Sequence, residues 1–314
     1  MARRPYKTYS HVIRDMMRLR STLILPLIAC LALSATTTVA AQDAEAVEAD
    51  PSLWIPTVIG KLAGSQAGFQ NWAEGGVNTL AFSVGLDGKA ERTKSSWRQI
   101  HEGRLSFGLV KQDTLDFRKA EDLIRLSSTF TYTGSGFLDK LKPTVALLAR
   151  TQFAPGFNFE KNPFKDGRTP PVKVSDFLSP GTFTQSLGMT YQPKPYLSQR
   201  FGLGGKQTVV LLEDLRTLYN VDVDKNVRLE MGMEAFTNFN KELVKNVVLK
   251  STVGLFAAFN KPESPDLIWE SQLNMKVNSW LNVNFDWAVL FDEDVSDRAQ
   301  MKEVFSIGFS YIFI

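Results

Sequence analysis

Arg98, Glu102 and Arg104 stand at even spacings in a segment that alternates polar with apolar residues, and Arg228, Glu230 and Glu234 do the same further on. Arg125, Arg150, Lys250, Glu270, Lys276 and Asp286 occupy the polar parity of their own segments. Even spacing puts side chains on one face of a strand. Charges of both signs on the inner face of a narrow barrel have two uses. They pair across the lumen and close it, or they stand in water and select a solute by charge. These twelve are the candidate lumen-lining residues. No catalytic, cofactor-binding or metal-ligating residue is expected among them, and no cofactor is expected.

Other groups invite chemistry less strongly. Two His and one Cys exclude most zinc, iron–sulfur and disulfide-scaffold readings. His101 shares the parity of Trp97, Leu105 and Phe107, which places it on an apolar, lipid-facing side. A lipid hydrolase needs a Ser nucleophile within reach of a His base. Ser95 and Ser96 are near in sequence but sit in no nucleophile motif, so the chain is expected not to be an enzyme. Asp292, Glu293 and Asp294 with Asp297 form an acidic run able to hold a hard divalent cation; a solvated loop is the plainer reading.

The elements that position these residues are written in period two. Phe183, Leu187, Met189 and Tyr191 alternate with Thr184, Ser186, Gly188 and Thr190. Leu281, Val283, Phe285, Trp287, Val289 and Phe291 alternate with Asn282, Asn284 and Asp286. The pattern predicts twelve strands, near 56–70, 78–88, 96–110, 121–134, 143–155, 181–193, 197–211, 225–239, 245–260, 265–277, 279–291 and 301–313. Short turns are predicted near Asp87–Lys94, Gly134–Lys142, Pro193–Tyr196, Asn240–Val244 and Asn278–Ser279. Longer loops are predicted near Lys111–Ala120, Ala154–Pro180 and Leu212–Asp224. Alternating short and long connections are usual in outer-membrane barrels.

Residues 1–41 read as a signal peptide. Arg14, Arg18 and Arg20 precede the apolar run Ser21–Ala35, and small residues lead to cleavage after Ala41. Met16 or Met17 would give a more usual start. Cys30 follows Leu27, Ile28 and Ala29 as in a lipobox, but Leu31, Ala32 and Leu33 continue the apolar run, which argues against lipidation. Residues 42–55 form a short acidic segment and 56–314 the barrel. Removing residues 1–41 takes away six of the 36 Lys and Arg and one of the 33 Asp and Glu, turning a formal charge of +3 into −2. No nucleic-acid partner is expected from such a balance.

A soluble barrel would alternate too, with its apolar parity inward. Three features favour a membrane barrel. The polar parity is rich in Ser, Thr, Gly and Asn rather than Lys and Glu. Aromatics cluster near predicted strand ends, as at Trp97, Tyr132, Tyr191 and Phe291, suiting interfacial girdles. The final segment, with Phe305, Phe309, Tyr311 and Phe313, looks like the strand read by the outer-membrane assembly machinery. The expected fold class is therefore all-β: a transmembrane antiparallel up-and-down β-barrel of twelve strands, surrounded by outer-membrane lipid.

Several segments carry a family resemblance: Phe69–Gly76 with Asn78, Thr151–Asn158, Val174–Pro180, Asn274–Asn278 and Lys302–Val304. Over roughly residues 56–313 the chain resembles an outer-membrane β-barrel family of Bacteroidetes-type bacteria known only as a domain of unknown function. The resemblance implies a signal peptide and an outer-membrane barrel, and no assigned activity. Within its first motif, Asn71, Trp72, Gly75 and Gly76 form a turn that the two glycines can close. The loop 151–180 reads first as a plain solvated loop, and next as one partly folded into the lumen, because its Phe157, Phe159 and Phe164 need burial. The expected role is passage or binding of a small solute through a partly constricted lumen. The alternatives are a non-conducting structural or partner-binding barrel and, more distantly, a lipid hydrolase.

Overall fold

The computed structural model describes residues 53–67, 77–164, 166–296 and 298–313. The signal segment and the turn residues Asn71, Trp72, Gly75 and Gly76 lie outside them. Twelve strands close into one antiparallel barrel. They are β1 (Ile55–Ala67), β2 (Thr79–Lys94), β3 (Trp97–Gln112), β4 (Arg118–Tyr132), β5 (Leu141–Thr151), β8 (Gly181–Lys194), β9 (Leu197–Val209), β10 (Val227–Val244), β11 (Val247–Ala258), β12 (Asp266–Lys276), β13 (Leu281–Phe291) and β14 (Gln300–Ile312). A small hairpin, β6 (Gly156–Asn158) with β7 (Val172–Ser175), stands between β5 and β8. Each strand pairs with its neighbour in the ring, and β1 closes on β14 with Ile59 opposite Ile312 and Ala63 opposite Gly308.

All twelve predicted strands are present, but two predicted turns are misplaced. The segment 87–94 is not a turn. Strand β2 runs through it to Lys94, and Ser95 with φ 55° turns the chain. Its polar residues read as loop, yet Asp87 and Glu91 hold lumen ion pairs and Arg92 Nε donates to Gln99 Oε1 across the ladder. Likewise β10 extends over 240–244, and Asn246 with φ 68° makes the turn instead.

One end of the barrel carries the short connections, 95–96, 195–196, 245–246 and 277–280, together with 133–140, which holds a single helical turn, α1 (Phe137–Lys140). The connections at the other end are mostly longer, the longest being 152–180 and 210–226.

The wall is apolar outward. Leu187 is 65% exposed, Leu229 64%, Met233 60% and Phe305 64%, while the alternate positions carry the charges. A water-soluble barrel would bury this parity. Hydrocarbon is the solvent that suits it, and ring closure satisfies the backbone there.

Glycines crease the ring at three seams, one of them β10–β11, where a Cβ on Gly232 would lie 2.3 Å from the Ala257 carbonyl oxygen. Gly188 faces Gly202 across β8 and β9, and a Cβ on Gly188 would lie 2.1 Å from the Phe201 carbonyl oxygen. A Cβ on Gly308 of β14 would lie 2.2 Å from the Leu62 carbonyl oxygen of β1. The β8–β9 and β14–β1 seams lie opposite each other in the ring. In the ring β3, β4 and β5 face β12, and side chains bond directly between these walls.

At the long-loop mouth, side chains from three loops pack into a cap. Val210, Leu215, Tyr219 and Val221 are buried together, and Phe164, Leu212, Leu218 and Val295 pack on them. Tyr219 Oη donates to the Val174 carbonyl at 2.7 Å, tying the 3₁₀ turn Glu213–Tyr219 to β7. Phe164 thus finds its burial in this cap, while Phe157 packs beside Phe159. Leu215→Ala is expected to cost the cap about 2–5 kcal/mol. Limited proteolysis should then cleave the 210–226 loop while the thermal transition of the barrel stays unchanged.

Candidate functional site

Strand alternation aims the charged parity at the lumen, and opposite walls lie within side-chain reach of each other. Between a mid-barrel belt and the short-turn end lies a cavity of about 540 Å³. Seven of the twelve predicted lumen residues line it directly: Arg98, Glu102, Arg104, Arg125, Glu234, Lys250 and Glu270. Arg150 and Asp286 bond to residues that line it. Arg228 and Glu230 gather at the long-loop end instead. Lys276 ends β12 at the short-turn rim, exposed.

The belt crosses the barrel. Glu270 of β12 takes Arg125 of β4 at 2.9 Å and Arg150 of β5 at 2.6 Å. In the ring β4 and β12 are six strands apart in either direction, so these bonds span the full lumen. Arg104 Nη2 donates to Gln272 Oε1 at 2.5 Å, and Gln272 Nε2 donates to Asp286 Oδ1 at 2.6 Å. An open, round twelve-stranded lumen is too wide for such pairs, since eight strands already enclose an interior that side chains can fill.

Around the cavity, cations share carboxylates. Asp87 holds Lys61 at 2.6 Å and Arg104 at 3.1 Å. Glu91 holds Lys89 and Arg98, each at 2.6 Å. Arg200 meets the buried Glu234 at 2.9 Å. Lys61, Asp87, Lys89, Glu91 and Arg200 were not among the residues predicted from sequence, although they share the lumen parity. A turn reading of 87–94 hid three of them. Gly202, Gly204 and Gly205 diluted the alternation that would have marked Arg200 and Lys206.

A second network clamps the mouth. Lys206 contacts Glu230 at 3.1 Å, Asp292 at 3.3 Å and also Asp266. Arg228 contacts Glu230 at 3.2 Å and Asp294, and Lys261 contacts Glu293 at 3.0 Å. The acidic run 292–294 is therefore engaged by cations, and among the described residues no metal-holding group gathers. Asp297 lies outside the described residues. Partial burial works to raise the Asp294 carboxyl, but Arg228 and then Lys261 outweigh it and hold it below its ordinary 3.8. A lowered carboxyl stabilises docking above its ordinary value and loses that contribution as pH falls through the lowered one. The 292–299 loop is thus expected to resist proteolysis at pH 5 and to become cleavable only below pH 3.8, as pulsed acid proteolysis would read.

His101 lies outside this lumen set. Its Nδ1 lies 2.9 Å from Ser128 Oγ, and its ring packs 5.3 Å from Trp54 and 5.6 Å from Phe130. The nearby hydroxyl is Ser128 on the paired strand, not Ser95 or Ser96. Strand pairing across 27 residues creates that contact, and local sequence carries no sign of it.

Comparison with known proteins gives a match to one family model over part of the chain. Residues 65–157 match the model of a family described as a protein of unknown function (DUF3078). That span holds the 69–78 segment and most of the 151–158 segment of the resemblance, and the other motifs fall beyond it. No curated protein matches the chain. Among solved structures, the chain is similar to the translocator domain of the autotransporter NalP from Neisseria meningitidis, at 10% identity and TM-score 0.35, covering 82% of this chain and 87% of that one. It is similar to an outer-membrane channel from Pseudomonas putida F1 at 9% identity and TM-score 0.36, covering 87% and 98%. It is also similar to the NanC porin at 8% identity and TM-score 0.34, covering 81% and 98%. Likeness at this level assigns none of their roles to this chain.

Proposed function

We propose that the protein is an outer-membrane β-barrel that takes a small solute into its lumen from the short-turn side, with passage limited by the Glu270 belt. The observation that carries this reading is the cavity of about 540 Å³ below the belt, a size suited to a small organic molecule. A purely structural barrel has no need of a polar hollow on one side. In this reading the short-turn end faces the periplasm, where both ends of the strand order lie. The mature chain begins after Ala41, and Phe305, Phe309, Tyr311 and Phe313 serve recognition by the assembly machinery. Planar-bilayer recording of refolded residues 42–314, with folding verified by a heat-modifiable gel shift, tests it. Discrete current steps altered by Arg104→Gln support the reading.

The second reading, a non-conducting envelope barrel, draws on the cross-lumen pairs and the capped mouth. It expects silence from the folded barrel and from every belt variant. In neither reading is the barrel an enzyme. The His101–Ser128 pair is proposed as a packing contact, so vesicles carrying the barrel are expected to release no fatty acid in calcium. Release that His101→Ala abolishes would overturn this.

A further inference from the structure

The two halves of the lumen carry opposite charge. Around the cavity, Asp87, Glu91 and Glu270 are each shared by two cations, so each cluster keeps a positive excess. Lys142 and Lys250 line the same cavity, and among the described residues neither has a carboxylate within ion-pair distance. Glu102 is the one cavity-lining acid similarly left over. At the mouth the balance reverses. There Lys206, Arg228 and Lys261 face Glu230, Asp266, Asp292, Glu293 and Asp294.

A cleft with low-dielectric walls focuses the field of its excess charge and concentrates counter-ions. Rings of Arg and Lys are the usual lining of anion and phosphate pores. The neutral part of this lining adds donors: Thr129 and Thr131 of β4 and Thr184, Ser186 and Thr190 of β8. Hydroxyls in one lining with ammonium groups that hold no carboxylate at ion-pair distance suit an oxyanion, which accepts hydrogen bonds through every oxygen. A cation would meet the excess positive charge, and a neutral solute would gain hydrogen bonds but no charge attraction from Lys142 and Lys250.

We infer that the short-turn half of the lumen is a binding site for small oxyanions, carboxylate- or phosphate-bearing, held through Lys142 and Lys250 and turned back by the acidic mouth. This rests on the solute reading above and names the class of solute. The test is calorimetric titration of the folded mature barrel in neutral detergent with citrate, inorganic phosphate, sorbitol and spermidine. Citrate or phosphate is expected to bind, more weakly as salt rises, and the tighter of the two identifies the group preferred. The double variant Lys142→Gln, Lys250→Gln breaks no ion pair and is expected to fold. It should weaken anion binding about tenfold or more, in keeping with two lost charge-assisted contacts. Anion binding unchanged in that variant overturns the inference, and so does sorbitol or spermidine binding as tightly as citrate. Failure of the solute reading has a separate signature: no ligand of any charge binds, and no current passes through the folded barrel or its Glu270→Gln variant.

Discussion

Glu270→Gln is expected to raise single-channel conductance several-fold over the parent barrel. Glu270 ties both β4 and β5 to β12 on the opposite wall, with Arg125 at 2.9 Å and Arg150 at 2.6 Å. Glutamine keeps the shape and one acceptor oxygen but removes the charge. Two guanidinium groups then remain close together without their shared counter-charge. Their repulsion drives them apart and into water. Breaking a buried pair by losing one partner costs about 3–5 kcal/mol. The Glu270 side chain is 15% exposed at the edge of a hydrated cavity, so about half that loss is expected, read as a lower thermal midpoint. The conductance change and the stability loss share one cause and should appear together. A folded variant whose current equals the parent's would sink the belt as the constriction. Bridging the same walls through Arg104 and Gln272 limits the gain, so adding Arg104→Gln should raise the current further.

The second large effect concerns folding. Gly188→Val is expected to abolish the folded, heat-modifiable form. Even the first carbon of a side chain at this position would sit 2.1 Å from the Phe201 carbonyl oxygen and 2.7 Å from the Gly202 Cα. These are backbone atoms of the paired strand and have no rotamer by which to move away. Overpacking a core costs about 1–3 kcal/mol where side chains can shift, and here the sheet itself must flatten. A flatter sheet at this seam widens the lumen and pulls the β4 and β5 arginines from Glu270. Gly88→Ala is the matched control, because a Cβ there meets nothing within 4 Å. It should fold as the parent does. If Gly188→Val gave a heat-modifiable barrel of parental stability, the crease would not be a requirement of the fold.

Much of the architecture was legible because alternation is a local property. Phe183, Leu187 and Met189 against Thr184, Ser186 and Gly188 declare which residues share a wall face whatever the partner strand is. The twelve candidate lumen charges were found that way, and seven line the cavity. The same logic misread 87–94, where consecutive polar residues look like a turn. There the lumen accepts Asp87 and Glu91 on one face, while Arg92 bonds along the ladder on the other. Loop 210–226 gave no periodic signal, so its role as the mouth's cap became visible only when Leu215 and Tyr219 were seen buried against Val210.

By itself, the sequence determined the twelve strands, their apolar and polar faces, and the sign of the inward charges that alternation marked. Those follow from the two-residue repeat of an extended chain and from the exclusion of charge from hydrocarbon. Only the tertiary structure decided which charges meet. Glu270 finds Arg125 across 145 residues and Arg150 across 120. Those partners are set by ring closure and by the close approach of opposite walls, which no single strand encodes. Whether inward charges stand apart in an open pore or lock across a folded one depends on the distance between opposite walls, and that distance belongs to the closed ring.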